Sequence, residues 1–116
     1  MSCLFNSLSH FIKLDSFGIR QMICDYLQEN KPIIDGMETR DILLFEGNNY
    51  IAQMRSSSTW GGAIEIQCAC NIWNAKINVF NYRDKNRKVI EFVPQCGVFM
   101  SVINLYWTGS HFEPIR

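Results

Sequence analysis

The chain is 116 residues long, 47% apolar and 19% charged, with eleven basic side chains against eleven acidic ones. That length matches one domain and lets roughly two thirds of the unfolded surface be buried without staples. The even charge balance, with no basic block, excludes a domain built mainly to grip a phosphate backbone, and no apolar run reaches the roughly 18–20 residues that span a bilayer.

Taken in chain order, Leu4, Phe5, Leu8, Phe11 and Ile12 recur at helical spacing and predict a first helix over 3–13, with Ser2 placed to cap it. A second helix starts at Asp15 or Ser16, turns Ile19, Met22, Ile23, Tyr26 and Leu27 inward, and stops at Asn30 and Pro32. After a loop over 32–36, short helices are expected over 39–46 and 48–55, broken at Gly47-Asn48-Asn49. In "SSSTWGGAIEIQCACNIWNAK", Ser58 or Thr59 would cap a helix whose apolar residues cover most of its circumference, which predicts burial nearly all round. From residue 75 the period becomes two. "KINVFNY" and "KVIEFVP" read as a hairpin turned at Asp84-Lys85-Asn86, "VFMSVINLYW" as a longer strand, and His111 to Ile115 as a short last one. Helices first and strands after predict an α+β fold, helices packed on a small, mainly antiparallel sheet, in a single domain over 1–116.

Five cysteines, Cys3, Cys24, Cys68, Cys70 and Cys96, are an odd number at irregular spacing, and the start of the chain lacks a signal-peptide pattern. Free thiols in an intracellular, cytoplasmic setting are therefore expected. The Cys68-x-Cys70 pair has no histidine nearby and no zinc-ligand spacing, so neither metal nor cofactor is expected.

Three residues can carry chemistry. Cys3 falls on the first turn of a predicted helix, where unpaired N–H groups favour a thiolate, the nucleophilic form. His111 follows a Gly-Ser turn, and histidine is the usual base for a cysteine nucleophile. Glu113 lies two residues on, on the same side of a strand and about 7 Å along it, where a carboxylate can orient an imidazole. Read singly, each has an ordinary alternative: a buried thiol, a surface histidine, a solvated charge. His10, the other histidine, is expected to face solvent.

Three blocks, "SCLFNSLSHF", "MRSSSTWGGAIEIQCACNIWNAKINVFN" and "INLYWTGSHFEPI", resemble in this order the signature blocks of the OTU (ovarian tumour) family of cysteine proteases, over essentially the whole chain. The first block centres on Cys3-Leu4-Phe5, the second on Trp60, Gly61, Gly62 and Glu65, the third on His111, Phe112 and Glu113. The resemblance implies a compact papain-like fold and deubiquitination, with ubiquitin or ubiquitin-like conjugates as partners. It implies Cys3 as nucleophile, His111 as general base steadied by Glu113, and backbone N–H groups of Ser2 and Cys3 as oxyanion donors. Trp60 and Phe112 would wall a groove for the two substrate glycines, beside Gly61 and Gly62, whose need is more for a tight backbone entry into the helix. No motif reads as an oligomerisation face, so a monomer without nucleic-acid or membrane partners is expected.

The sequence departs from the family in two places. Asp-Gly and one more residue usually precede the cysteine, whereas here only Met1 and Ser2 do; Glu113 stands where Asp or Asn is commoner. The chain is also short for the family. A displaced start, a compact active enzyme with a rearranged oxyanion loop, and a catalytically impaired ubiquitin-binding module all fit these departures. A papain-like thiol hydrolase acting on another amide is the remaining reading.

Overall fold

The structure, a computed structural model, describes residues 2–82 and 88–115. Five helices precede four strands: α1 (Cys3–Ser9), α2 (Ser16–Gln28), α3 (Thr39–Glu46), α4 (Tyr50–Met54) and α5 (Ala63–Trp73), then β1 (Ala75–Asn81), β2 (Val89–Phe92), β3 (Ser101–Trp107) and β4 (Phe112–Pro114). The expected turn at Asp84-Lys85-Asn86 lies outside the described residues.

α1 is shorter than its apolar spacing predicts. The Ser9 hydroxyl donates to the Asn6 carbonyl and competes with the helical ladder there, so the chain leaves the helix after Ser9 although Ile12 still reaches the core. α2 starts as expected, with the Asp15 carboxylate accepting the Gly18 N–H at 2.7 Å, and ends where Asn30 takes a left-handed conformation, φ 55°. Its buried side is rotated from the predicted stripe: Ile19, Arg20, Ile23, Cys24 and Leu27 are inside, while Met22 is 39% exposed. α5 begins at Ala63 rather than after Ser58 or Thr59. Its Glu65 carboxylate folds back to accept the Gly62 N–H at 2.7 Å, which caps the helix from within and leaves Trp60 and Gly61 ahead of it, outside the helix. Ala63 is the only exposed residue of α5, so burial nearly all round holds.

The sheet runs β2-β1-β3-β4. β1 pairs antiparallel with β2, β3 antiparallel with β4, and β1 parallel with β3, Ile77 opposite Ile103 and Val79 opposite Leu105. Parallel neighbours cannot be joined by a tight turn. Here the β2 hairpin and the segment over 93–100 carry the chain back to the same end. β3 starts at Ser101, after the exposed Val98, Phe99 and Met100. Ala75, Ile77, Val79, Ile103 and Leu105 face the helices and join Leu4, Phe5, Leu8, Ile19, Ile23, Leu27 and Ile66 in one core. Each such aliphatic side chain contributes about 1.5–3 kcal/mol by leaving water. The other face carries a Lys76–Glu91 ion pair at 2.6 Å and an Asn78–Asn104 hydrogen bond at 3.0 Å.

Candidate active site

Leu4, Phe5 and Leu8 are fully buried and fix how α1 sits; Cys3, one position earlier, is left half-buried at the helix start. On the next turn, the buried Ser7 hydroxyl lies 2.7 Å from the Cys3 carbonyl and 3.0 Å from the Phe112 carbonyl. A single hydroxyl therefore ties the backbone of the third residue to the backbone that follows His111. The start of α1 and the start of β4 are thus physically linked.

His111 lies just before β4 rather than inside it. Its N–H donates to the Thr108 hydroxyl at 3.2 Å, and its carbonyl accepts the Thr108 N–H at 3.0 Å, closing a turn that presents the imidazole outward. Against it stands Trp60, ring edge to ring face, centroids 6.2 Å apart at 65°. Trp60 is held there by its neighbour. A Cβ on Gly61 would lie 2.7 Å from Leu4 Cδ2 and 2.9 Å from Phe5 Cζ, so the backbone at 61 presses directly on the buried side of α1. No side chain larger than hydrogen fits that contact.

Beside Trp60 and His111 opens a largely apolar cleft of about 310 Å³, walled by Gly61, Gly62, Val79, Phe92, Trp107 and Phe112. Trp107 and Phe112 are tilted rings 6.5 Å apart. A larger cleft, about 670 Å³ along Gly36, Met37, Glu38, Asp41, Leu44 and Phe45, contains none of the candidate residues.

Cys3, Ser2, Trp60, Gly61, Gly62, His111 and Phe112 thus share one corner. Glu113 stands apart: it is exposed, opposite Tyr106, on the sheet side away from Phe112, and among the described residues no hydrogen bond joins it to His111. Ser2 occupies the cap position of α1 but its side chain makes no capping bond. Its hydroxyl instead accepts from Arg20 Nη2 at 3.3 Å and reaches the Ser57 carbonyl at 3.5 Å, ahead of Trp60.

Three of the other thiols are poor nucleophiles by placement. Burial pushes Cys24 up to about 11 and Cys70 up to about 12, and raises Cys68 as well. Cys96 is exposed, and its thiol approaches the Val98 carbonyl. Among the described residues no group of three or more His, Cys, Asp or Glu could hold a metal ion, and no helix is long and apolar enough to cross a membrane.

Three residues that periodicity does not mark also shape this corner. Arg20 is 2% exposed, its guanidinium 4.2 Å from the Phe5 ring centre and 2.8 Å from the Met54 carbonyl. Glu65 is 1% exposed and accepts from both the Gly62 N–H and the Tyr50 hydroxyl; burial raises its carboxyl above the ordinary value. Ser7 is buried between the two chain ends. A polar side chain inside an apolar stripe is the one signal sequence offers for such groups, since burial demands partners.

Residues 2–112 match the family described as OTU-like cysteine protease. The chain is 26% identical to ubiquitin thioesterase otu2 of Schizosaccharomyces pombe, over 98% of this chain and 42% of that protein. It is 28% identical to ubiquitin thioesterase Otu1 of Drosophila melanogaster, over 98% of this chain and 32% of that one. It therefore spans less than half the length of these relatives. Among solved structures, an OTU domain in complex with ubiquitin superposes with a TM-score of 0.77 at 25% identity, covering 97% of this chain and 62% of that one. The viral OTU domain protease of Dera Ghazi Khan virus superposes with a TM-score of 0.73 at 21% identity, covering 99% and 74%.

Proposed function

The chain belongs to the OTU-like cysteine protease family, and we propose that it is a thiol-dependent deubiquitinase hydrolysing the bond after the C-terminal Gly-Gly of ubiquitin. The observation that carries the reading is the convergence of the α1 start, Trp60-Gly61 and the His111 turn, tied by the Ser7 hydroxyl. The relatives named as ubiquitin thioesterases and the OTU domain in complex with ubiquitin supply the substrate class.

In this reading His111 takes the Cys3 proton as Sγ attacks the glycine carbonyl. The C–N bond then breaks, and His111 hands the proton to the departing lysine amine. Water, deprotonated by His111, hydrolyses the thioester and returns the sulfur. Backbone N–H groups of Ser2 and Cys3 hold the negative oxygen; donors of this kind are worth about 3–4 kcal/mol each. Trp60 and Phe112 flank a strip that side-chain-free glycines can enter. Glu113, two residues beyond His111, is the carboxylate assigned to steady its imidazole. The five free cysteines suit a reducing, cytoplasmic setting, where the chain acts as a monomer.

The test is ubiquitin bearing a C-terminal electrophile, read as a mass adduct. An adduct on Cys3 is expected, lost in Cys3→Ala and slowed about 10²–10⁴-fold in His111→Ala. An adduct that maps to Cys96, or survives Cys3→Ala, overturns the assignment. Binding with no adduct points to a ubiquitin-binding module that does not cut.

A further inference from the structure

We propose that Arg20 is a positioning residue for this reaction: its buried guanidinium draws the Ser2 hydroxyl away from the α1 cap and ties the backbone beside Cys3 to the loop that carries Trp60. The inference rests on Cys3 being the nucleophile. It adds a residue outside all three motif blocks.

A buried guanidinium is costly unless its donors are satisfied, so where its donors go tells what it is for. Nη1 donates to the Met54 carbonyl at 2.8 Å, at the end of α4, and touches Met54 Sδ at 3.6 Å. Nη2 donates to Ser2 Oγ at 3.3 Å. The plane covers the Phe5 ring at 4.2 Å, and that same ring meets the backbone of Gly61. Arg20 thus touches α4, the residue before Cys3 and the ring on which the Trp60-Gly61 segment rests. An apolar side chain of equal volume would fill the space without reaching any of these oxygens.

The bond to Ser2 has a structural consequence. A serine at a helix cap ordinarily turns its oxygen onto the first-turn N–H groups. Ser2 does not; Arg20 engages that oxygen, and the hydroxyl points on toward the Ser57 carbonyl at 3.5 Å. The Ser2 side chain is thus held toward the Ser57 carbonyl, which fixes the backbone immediately before Cys3 relative to the segment that carries Trp60. Ser2 stays placed through its carbonyl, which accepts the Asn6 N–H at 2.7 Å.

The experiment compares Arg20→Lys, Ser2→Ala and the double variant in two readouts: steady-state hydrolysis of a fluorogenic ubiquitin substrate, and hydrogen exchange at the Asn6 amide. Lysine keeps the charge and loses the fork. Arg20→Lys should lower kcat roughly tenfold with KM within about twofold, since small misplacements of reacting groups cost on that order or more. Ser2→Ala should lower kcat by a similar or smaller factor, and the double variant should be no worse than Arg20→Lys alone. Exchange at Asn6 should quicken at least about fivefold in each. Effects that multiply, an intact kcat in Arg20→Lys, or unchanged Asn6 exchange in both single variants overturn the proposal. Should Arg20→Lys fail to fold, Ser2→Ala decides alone: kcat must fall at an unchanged melting temperature. A parent chain that leaves ubiquitin uncut refutes the deubiquitinase reading, and the exchange readout then judges the Arg20–Ser2 link by itself.

Discussion

Two corners of this molecule are built in opposite ways. The corner holding Cys3 and His111 is fastened by buried polar side chains, Ser7, Arg20 and Glu65, each 2% exposed or less and each bonded to backbone across elements or at a helix start. The corner made by α3 has a single such anchor, Thr39, whose buried hydroxyl donates to the Lys31 carbonyl. There Leu44 and Phe45 are 60% and 84% exposed. Polar anchors specify one geometry, whereas apolar contact tolerates sliding. The contrast teaches where position matters in this chain.

The hardest blow to that contrast is aimed at Gly61. Its neighbours Leu4 and Phe5 are wholly buried and cannot give way, so Gly61→Ala should cost about 1–3 kcal/mol and displace Trp60 from His111. Chemical denaturation and the rate of Cys3 adduct formation check both effects. A variant as stable and as reactive as the parent would show that the corner is softer than its packing says.

A smaller effect comes from acid. Burial raises the Glu65 carboxyl, so the folded chain keeps that proton to a higher pH than the unfolded chain, whose ordinary value is 4.5. Folding takes up protons between the two values. The Glu65 contribution to stability is therefore whole below 4.5 and lost as pH rises through the folded value. Gln at this position still accepts the Gly62 N–H without titrating. Melting curves between about pH 5 and pH 8 should show the parent losing ground to Glu65→Gln as pH rises. A constant difference would mean that Tyr50 and Gly62 hold the group ionised throughout.

The smallest effect belongs to the other corner. Phe45→Ser, at an exposed position, should change stability by no more than about 0.5 kcal/mol. Equilibrium unfolding tests this directly. A larger loss would show that α3 is fastened more firmly than its exposure suggests.

Much of the fold is readable in the sequence, and the departures from it have physical causes. Period and breakers place α2, α3, α5 and the strands to within a few residues. The end of α1 was misplaced because Ser9 spends its hydroxyl on the Asn6 carbonyl, a local choice that apolar spacing cannot see. The start of α5 was misplaced because Glu65, inside the helix, caps it, where pattern pointed to the serines upstream. The parallel β1–β3 pairing was invisible, since a strand alternates alike whichever way its neighbour runs. At the candidate site, Cys3, Trp60, Gly61, His111 and Phe112 were legible from residue type and motif. Arg20 was not, because a lone arginine in an amphipathic helix reads as surface until tertiary packing shows it covered.

The Ser7 hydroxyl joins residues 105 positions apart. During synthesis α1 is made long before β4, so Ser7 must wait for nearly all the intervening domain before it can meet the Phe112 carbonyl. An unfinished chain, or one released early by a stalled ribosome, lacks the Phe112 carbonyl and leaves the Ser7 hydroxyl only the Cys3 carbonyl to bond. This corner of the fold therefore closes only late, once β4 has been made.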